Sequence, residues 1–277
     1  MSIVLALAAS LAWGFADFGA GVGARRLQVF VVAAVAQGAG LVVAAAVALA
    51  VGGSLPTRLQ LVWAASAGVS GIVGLAAFYR ALAVGTMGIV GPIAATGTLV
   101  PLAYGLARGE RPSTLQGIGV GLAVVGVIAA SLEHLPEGAG RRFGIGVGLA
   151  LLAAAMFGWS LVGLSRAAPG GIAWSVLAMR VVAVPLVLAA ALLARPARPD
   201  TRGWLLLVAV GVADTGATLL YGAASTRGLL SIVSVLSTLY PIVIVVLARV
   251  LLAERIARPQ LAGVGVALLG VALVSAG

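Results

Sequence analysis

The sequence consists of long apolar runs separated by short polar breaks. A helix that crosses a lipid bilayer needs about 20 mostly apolar residues, and ten runs of this kind follow one another along the chain. The pattern therefore predicts an all-α integral membrane protein with ten transmembrane helices. The predicted spans are residues 2–23, 28–52, 60–82, 86–107, 113–132, 143–166, 171–194, 203–224, 229–251 and 258–276.

One polar break, residues 133–142, is longer than the others and divides the ten spans into two groups of five. It predicts a first five-helix repeat over residues 1–132 and a second over residues 143–277, joined by a polar loop. The halves have similar sequences, because a shift of 142 to 144 residues superimposes polar, aromatic and glycine positions. The matched pairs are Gly14 with Gly158, Tyr79 with Tyr221, Glu110 with Glu254, Gln116 with Gln260 and Gly119 with Gly263.

The number of helices in each repeat determines how the repeats cross the membrane. Five is odd, so the second copy enters the bilayer from the side opposite to the first. Inverted repeats of this kind can pack in two ways of similar energy, each open to one side of the membrane. The duplication therefore favours an alternating-access transporter with a substrate site near the middle of the bilayer.

Composition argues against several other classes of protein. Only 9% of the 277 residues are charged and the mean hydropathy is +1.20, whereas soluble domains carry about 25% charged residues. There is no lysine, so the phosphate-binding loop that needs one cannot form, and we expect neither ATP nor another cofactor. There is no cysteine, and the single histidine, His134, lies in a polar loop, so we expect no metal site.

Arginine supplies the whole positive charge, for a net charge of +10. Most arginines lie at predicted helix ends, where they set membrane topology, so the charge does not imply nucleic-acid binding. Ten arginines lie in loops after odd-numbered spans and five in loops after even-numbered spans. Because arginine is enriched in cytoplasmic loops, this count predicts that both chain termini lie outside the cell.

Ionisable side chains inside membrane spans are rare and mark functional candidates. Asp17 lies four residues after Trp13, so the two side chains share a helix face. One interpretation is a carboxylate that binds a cation or a proton beside an aromatic wall. The other is a hydrated side chain near the membrane surface.

Asp214 lies nearer the middle of its span, and Thr218 and Tyr221 follow it on the same helix face. This polar stripe could line a cavity. Alternatively, Asp214 could form an ion pair with Arg180 of the preceding span. The two interpretations are compatible, since such a pair could bind both ends of a zwitterion.

Hydroxyl side chains share one face of the ninth span. Ser231, Ser234 and Thr238 lie there, followed by Pro241. Serine and threonine often join membrane helices, but a proline kinks a helix and frees a backbone carbonyl. The face is therefore predicted to form a hinge or a cavity wall. Further predicted hinge or packing positions are Pro92, Pro101, Gly14, Gly158, Gly119 and Gly263.

Together these residues resemble the drug/metabolite transporter superfamily in its ten-helix EamA-like form. The resemblance implies secondary transport of small metabolites, commonly export of amino acids or related compounds, through a central cavity. It also implies cytoplasmic termini, in contrast to the arginine count. The second half departs from the family pattern, with Phe157-Gly158-Trp159 in place of Trp-Gly. The similar elements are Trp13-Gly14, Tyr79-x-Ala81-Leu82, Pro241, and Glu110, Gln116 and Gly119 with Glu254, Gln260 and Gly263.

The leading hypothesis is an alternating-access carrier, not an enzyme, that exports amino acids or related amphipathic compounds with proton coupling. We expect it in the bacterial cytoplasmic (inner) membrane, as a monomer or homodimer, with a small-molecule substrate and no nucleic acid. The alternatives are a channel or facilitator pore and an intramembrane aspartic protease using Asp17 and Asp214. The predicted cavity residues are Trp13, Asp17, Tyr79, Trp159, Asp214, Thr218, Tyr221, Ser234, Thr238 and Tyr240.

Overall fold

The computed structural model describes residues 1–24, 27–53, 55–84, 93–131, 142–194, 199–251 and 258–277. Within these ranges every regular element is helical. Eight helices are long and apolar enough to cross a membrane, and two are shorter, so the predicted ten-helix all-α fold is confirmed. Helices α1 to α10 are Ser2–Ala24, Val29–Val51, Arg58–Val84, Ile93–Ala107, Thr114–Ser131, Arg142–Ala167, Ile172–Ala194, Thr201–Ser225, Leu230–Leu251 and Arg258–Ala276.

The helices of one repeat pack mainly against helices of the other. In the first repeat α1 lies against α8 and α9, and its equivalent in the second repeat, α6, lies against α3 and α4. The pairs α2–α7 and α5–α10 join equivalent helices. Exchanging the two repeats leaves this set of contacts unchanged, as expected for copies related by a pseudo-two-fold axis. The main interface of the molecule is therefore the one between the repeats.

The last helix of each repeat demonstrates the inversion. α5 and α10 are equivalent but run antiparallel, since Gly119 faces Val274 while Gly126 faces Ala267. A Cβ atom on Gly119 would lie 2.8 Å from the Val274 nitrogen, and one on Gly126 would lie 2.7 Å from the Ala267 Cβ. Only glycine allows the helices to approach so closely. Gly263, the second predicted packing glycine of this pair, is buried in α10.

The fourth helix of each repeat is interrupted. α9 is α-helical over Leu230–Ser237 and again over Tyr240–Leu251, and Pro241 lies in the first turn of the second segment. α4 contains a 3₁₀ turn at Thr96–Thr98, and Pro101 lies in the first turn of the α-helix that follows. Proline suits the first turn of a helix because no backbone N–H is needed there. Each of these prolines therefore starts a new helical segment after a break.

The chain ends lie at the same face of the helix bundle. Gly228 packs against Ser2, and Gly277 packs against Ser113 and Gln116. We call this face, where α1 begins and α10 ends, the terminal face. We call the opposite face, where α1 ends and α2 begins, the distal face.

Candidate substrate site

A cavity of about 270 Å³ lies between the two repeats. Its walls come from α1, α2 and α3 of the first repeat and from α6, α7, α8 and α9 of the second. On α1 the lining runs from Trp13 to Ala20, and on α2 it covers residues 32–37 near the start of that helix. The cavity therefore extends from the middle of the bundle toward the distal face. The predicted site residues that line it are Trp13, Asp17, Asp214, Thr218, Thr238 and Tyr240.

An ion pair between α7 and α8 forms part of the cavity wall. Nη2 of Arg180 donates a hydrogen bond to Oδ2 of Asp214 at 2.6 Å. The arginine side chain is only 2% exposed, whereas the aspartate side chain is 28% exposed. The pair thus has a buried cationic end and a carboxylate end that reaches the cavity. A guanidinium can be buried this deeply because a carboxylate and further acceptors surround it.

Gln37 of α2 supplies one of those acceptors and was not among the predicted residues. Nη1 of Arg180 donates to the Gln37 side-chain oxygen, and Nη2 also reaches the Thr218 hydroxyl at 3.3 Å. The signal for Gln37 was present in the sequence, since an amide in the interior of a span is as unusual as a charge. Arg180 follows Gln37 by 143 residues, so equivalent positions of α2 and α7 meet at the centre of the molecule.

Trp13 of α1 connects the ion pair to the first repeat. Its indole N–H donates to Oδ1 of Asp214 at 3.1 Å, and the Thr218 hydroxyl donates to the Asp214 backbone carbonyl at 2.7 Å. Both carboxylate oxygens of Asp214 therefore have partners, one in each repeat. An aspartic protease dyad instead shares a proton between two carboxylates. The geometry at Asp214 differs from that of such a dyad.

Asp17 is the second carboxylate in the cavity. Its side chain is exposed, and no described residue forms a hydrogen bond or ion pair with it. Among the described lining residues Asp17 and Asp214 are acidic and Arg180 is basic. The described lining therefore carries one more negative than positive charge when both acids are ionised. Such a site attracts a proton or an ammonium group.

Tyr221 and Ser234 lie beside the cavity on the side of the terminal face, because Tyr221 follows the lining residue Thr218 on α8 and Ser234 precedes the lining residue Thr238 on α9. Both side chains are fully buried. The Tyr221 hydroxyl donates to the backbone carbonyl of Leu161 at 3.1 Å and lies 3.3 Å from the Ser234 hydroxyl. The Tyr221 ring packs on Trp13, with ring centroids 5.8 Å apart. These predicted site residues thus form a seal that joins α6, α8 and α9, not an open part of the lining.

The structure places Trp159 away from the cavity. Its side chain is 37% exposed and packs on Trp63 of α3, with ring centroids 5.8 Å apart. Phe157 lines the cavity in its place. Phe157 follows Trp13 by 144 residues, so the repeat shift itself identifies it as the counterpart of Trp13. A residue two positions away points to a different side of the helix.

The two predicted glycines of the first helix in each repeat make equivalent close contacts. Gly14 of α1 packs against Val243 of α9, and Gly158 of α6 packs against Gly97 and Val100 of α4. They hold each first helix against the interrupted helix of the other repeat. The Tyr79 side chain and Pro92 lie outside the described residues.

Comparison with known proteins identifies the family. Residues 1–132 and 144–276 match the EamA-like transporter family. A solved crystal structure of another protein shares the fold with a TM-score of 0.84 and 20% sequence identity, over 99% of this chain and 96% of that chain. No curated protein matches the sequence. The chain belongs to the EamA-like transporter family of the drug/metabolite transporter superfamily, and it is a multi-pass membrane transporter.

Proposed function

We propose that this transporter is a secondary active carrier that exports small amphipathic metabolites, most of all amino acids or related compounds, in exchange for protons. The observation that carries the proposal is the cavity between the inverted repeats, which extends toward the distal face and stops at the Tyr221–Ser234 seal. A channel needs a continuous path through the membrane. A cavity whose described lining extends toward one face, with buried and hydrogen-bonded side chains on the side of the other, supports alternating access instead.

The size and chemistry of the cavity support a small amphipathic substrate. Its volume, about 270 Å³, is slightly below the usual range for small-molecule sites, about 300–1,000 Å³, so the substrate should be small. Trp13, Phe157 and Tyr240 offer aromatic surfaces to an apolar body. Asp17 can accept an ammonium group or a proton because no protein cation neutralises it within the described residues. Competition between the two for one carboxylate would couple export to proton entry.

The proposal also covers the location, the oligomeric state and the binding partners of the carrier. The carrier acts in the bacterial cytoplasmic membrane as a monomer or homodimer, uses no ATP and binds no nucleic acid. The energy for export comes from the proton gradient.

Counterflow in reconstituted vesicles tests the carrier assignment. Purified protein is reconstituted into vesicles loaded with each member of an amino-acid and metabolite panel, and uptake of the labelled compound is measured at two pH values. We expect saturable uptake that internal substrate stimulates. Uptake that rises linearly with concentration and ignores internal substrate would identify a pore and contradict the proposal.

Asp17→Asn is expected to lower proton-driven accumulation about tenfold, because it removes a charged contact of about 1.4 kcal/mol, and to abolish its pH dependence. Folding should be unaffected, since the carboxylate is exposed and has no described partner. Asp200→Asn is the matched control: Asp200 caps α8 through the Gly203 N–H at 2.8 Å, away from the cavity, and asparagine caps equally well. Wild-type accumulation in Asp17→Asn vesicles would remove Asp17 from the mechanism.

A further inference from the structure

Glu110 belongs to the first repeat but binds the second. It lies in the loop between α4 and α5, and its two carboxylate oxygens accept hydrogen bonds from consecutive backbone N–H groups of α9. Oε1 accepts from Leu230 at 2.7 Å and Oε2 accepts from Ser231 at 2.8 Å. These are the first two residues of the first α9 segment, at the terminal face.

This segment depends on Glu110 for its cap. The first N–H groups of a helix have no partner within the helix, and the preceding residue, Leu229, makes no side-chain cap. A carboxylate at this position satisfies two of these donors and interacts favourably with the positive end of the helix dipole. The cap thus comes from the opposite repeat, which makes it a connection between the repeats as well as a local contact.

The loop that carries Glu110 is shaped to present its carboxylate. Gly109 has a φ of +90°, a conformation that favours glycine. At Gly105 a Cβ atom would lie 2.8 Å from Cδ of Glu110 and 3.1 Å from the Ser231 nitrogen. Glycine at position 105 leaves the space in which the carboxylate meets the helix.

The capped segment connects the terminal face to the cavity. All eight residues of Leu230–Ser237 are buried. Ser234 forms part of the seal with Tyr221, and Thr238, at the break that ends the segment, lines the cavity. A movement of this short helix therefore changes the terminal face, the seal and the cavity wall together.

We infer that Glu110 is a positioning residue that holds the terminal face closed, and that its bonds to Leu230 and Ser231 must break when that face opens. This inference rests on the proposed alternating-access function. It gives Glu110 a role in the equilibrium between the two states and not in substrate binding, because the carboxylate accepts hydrogen bonds from the start of α9 and is not among the residues that line the cavity.

Cysteine labelling tests the inference without any substrate. The chain has no cysteine, so single reporters can be introduced at Ser237, which is buried and whose hydroxyl has no described partner, and at Ala20, which lines the cavity toward the distal face. In Glu110→Gln we expect the Ser237→Cys reporter to react with a maleimide about tenfold faster, corresponding to about 1.4 kcal/mol, and the Ala20→Cys reporter to react more slowly.

A faster reaction at one reporter together with a slower reaction at the other identifies a shift between the two states. A loss of stability alone would instead speed the reaction at both reporters. Asp200→Asn makes the same acid-to-amide change at the start of α8, within one repeat, and should leave both rates unchanged. Gly105→Ala displaces the carboxylate without removing it and should shift both rates in the same directions as Glu110→Gln, which provides a second variant if Glu110→Gln does not fold. Unchanged rates, or faster labelling at both reporters, would overturn the inference, whereas failed counterflow of the wild type would overturn the proposed function.

Discussion

Replacing Asp214 by leucine is expected to destabilise the folded transporter by about 3–5 kcal/mol, because it leaves a buried cation without its partner. Arg180 is 2% exposed and a guanidinium cannot release its proton at any accessible pH. Trp13 loses the acceptor of its indole N–H at the same time. Arg180→Met should be less damaging, because the remaining carboxylate is 28% exposed and still accepts the Trp13 indole N–H. Thermal unfolding of the purified variants in detergent measures both effects.

The double variant Arg180→Met/Asp214→Leu distinguishes the effect of an unpaired buried charge from the effect of changed side-chain packing. Replacing a whole buried ion pair by apolar residues is often neutral or stabilising, so we expect the double variant to recover most of the stability lost in Asp214→Leu. Arg58→Met, at an exposed arginine at the start of α3, is the control for loss of an arginine and should change little. A double variant as unstable as Asp214→Leu would show that the pair stabilises the fold in some way other than charge neutralisation.

The sequence was sufficient to predict the fold because membrane helices are constrained by length and polarity. Each span must hide its backbone from lipid, so the ten apolar runs translate directly into helices. The odd number of helices per repeat then predicted inversion, which the antiparallel contact of Gly119 with Val274 and Gly126 with Ala267 confirms. The interruption of α9 was harder to foresee, because Pro241 alone does not distinguish a kink from a break.

The lining of the candidate site was predicted only in part, because the two repeats share backbone positions but not the side chains at those positions. Asp17 and Leu161 are 144 residues apart, Asp214 and Ile72 are 142 apart, and all four line the cavity. Each acidic residue therefore has an apolar counterpart in the other repeat. The pseudo-two-fold symmetry of the backbone does not extend to the charges that line the cavity. Ionisable residues were found because they are rare in spans. Gln37 was missed although an amide in a span is equally rare, and the counterpart of Trp13 required the repeat shift to be applied residue by residue.

Gly158→Ala is expected to destabilise the transporter by about 1–3 kcal/mol, the usual cost of overpacking a close contact. The added methyl group would lie 2.6 Å from Cβ of Val100 and would also clash with the backbone carbonyl of Gly97. A backbone atom cannot rotate away, so α4 and α6 must separate, which weakens a contact between the two repeats. The measurement is thermal unfolding in detergent, together with the yield of monodisperse protein.

Gly216→Ala provides the control for this prediction, because it makes the same substitution within a helix, where nothing lies within 4 Å of the new Cβ atom. Alanine is favoured over glycine inside a helix by about 1 kcal/mol, so Gly216→Ala should be neutral or slightly stabilising. Equal destabilisation of both variants would mean that flexibility of the helices, and not the close approach of α4 and α6, accounts for the effect. If Gly158→Ala unfolds several degrees below Gly216→Ala, the destabilisation comes from the contact between α4 and α6 that joins the repeats.

An equivalent contact, Gly14 against Val243, exists on the other side of the pseudo-two-fold axis. Weakening one of these two contacts should therefore favour one of the two states over the other.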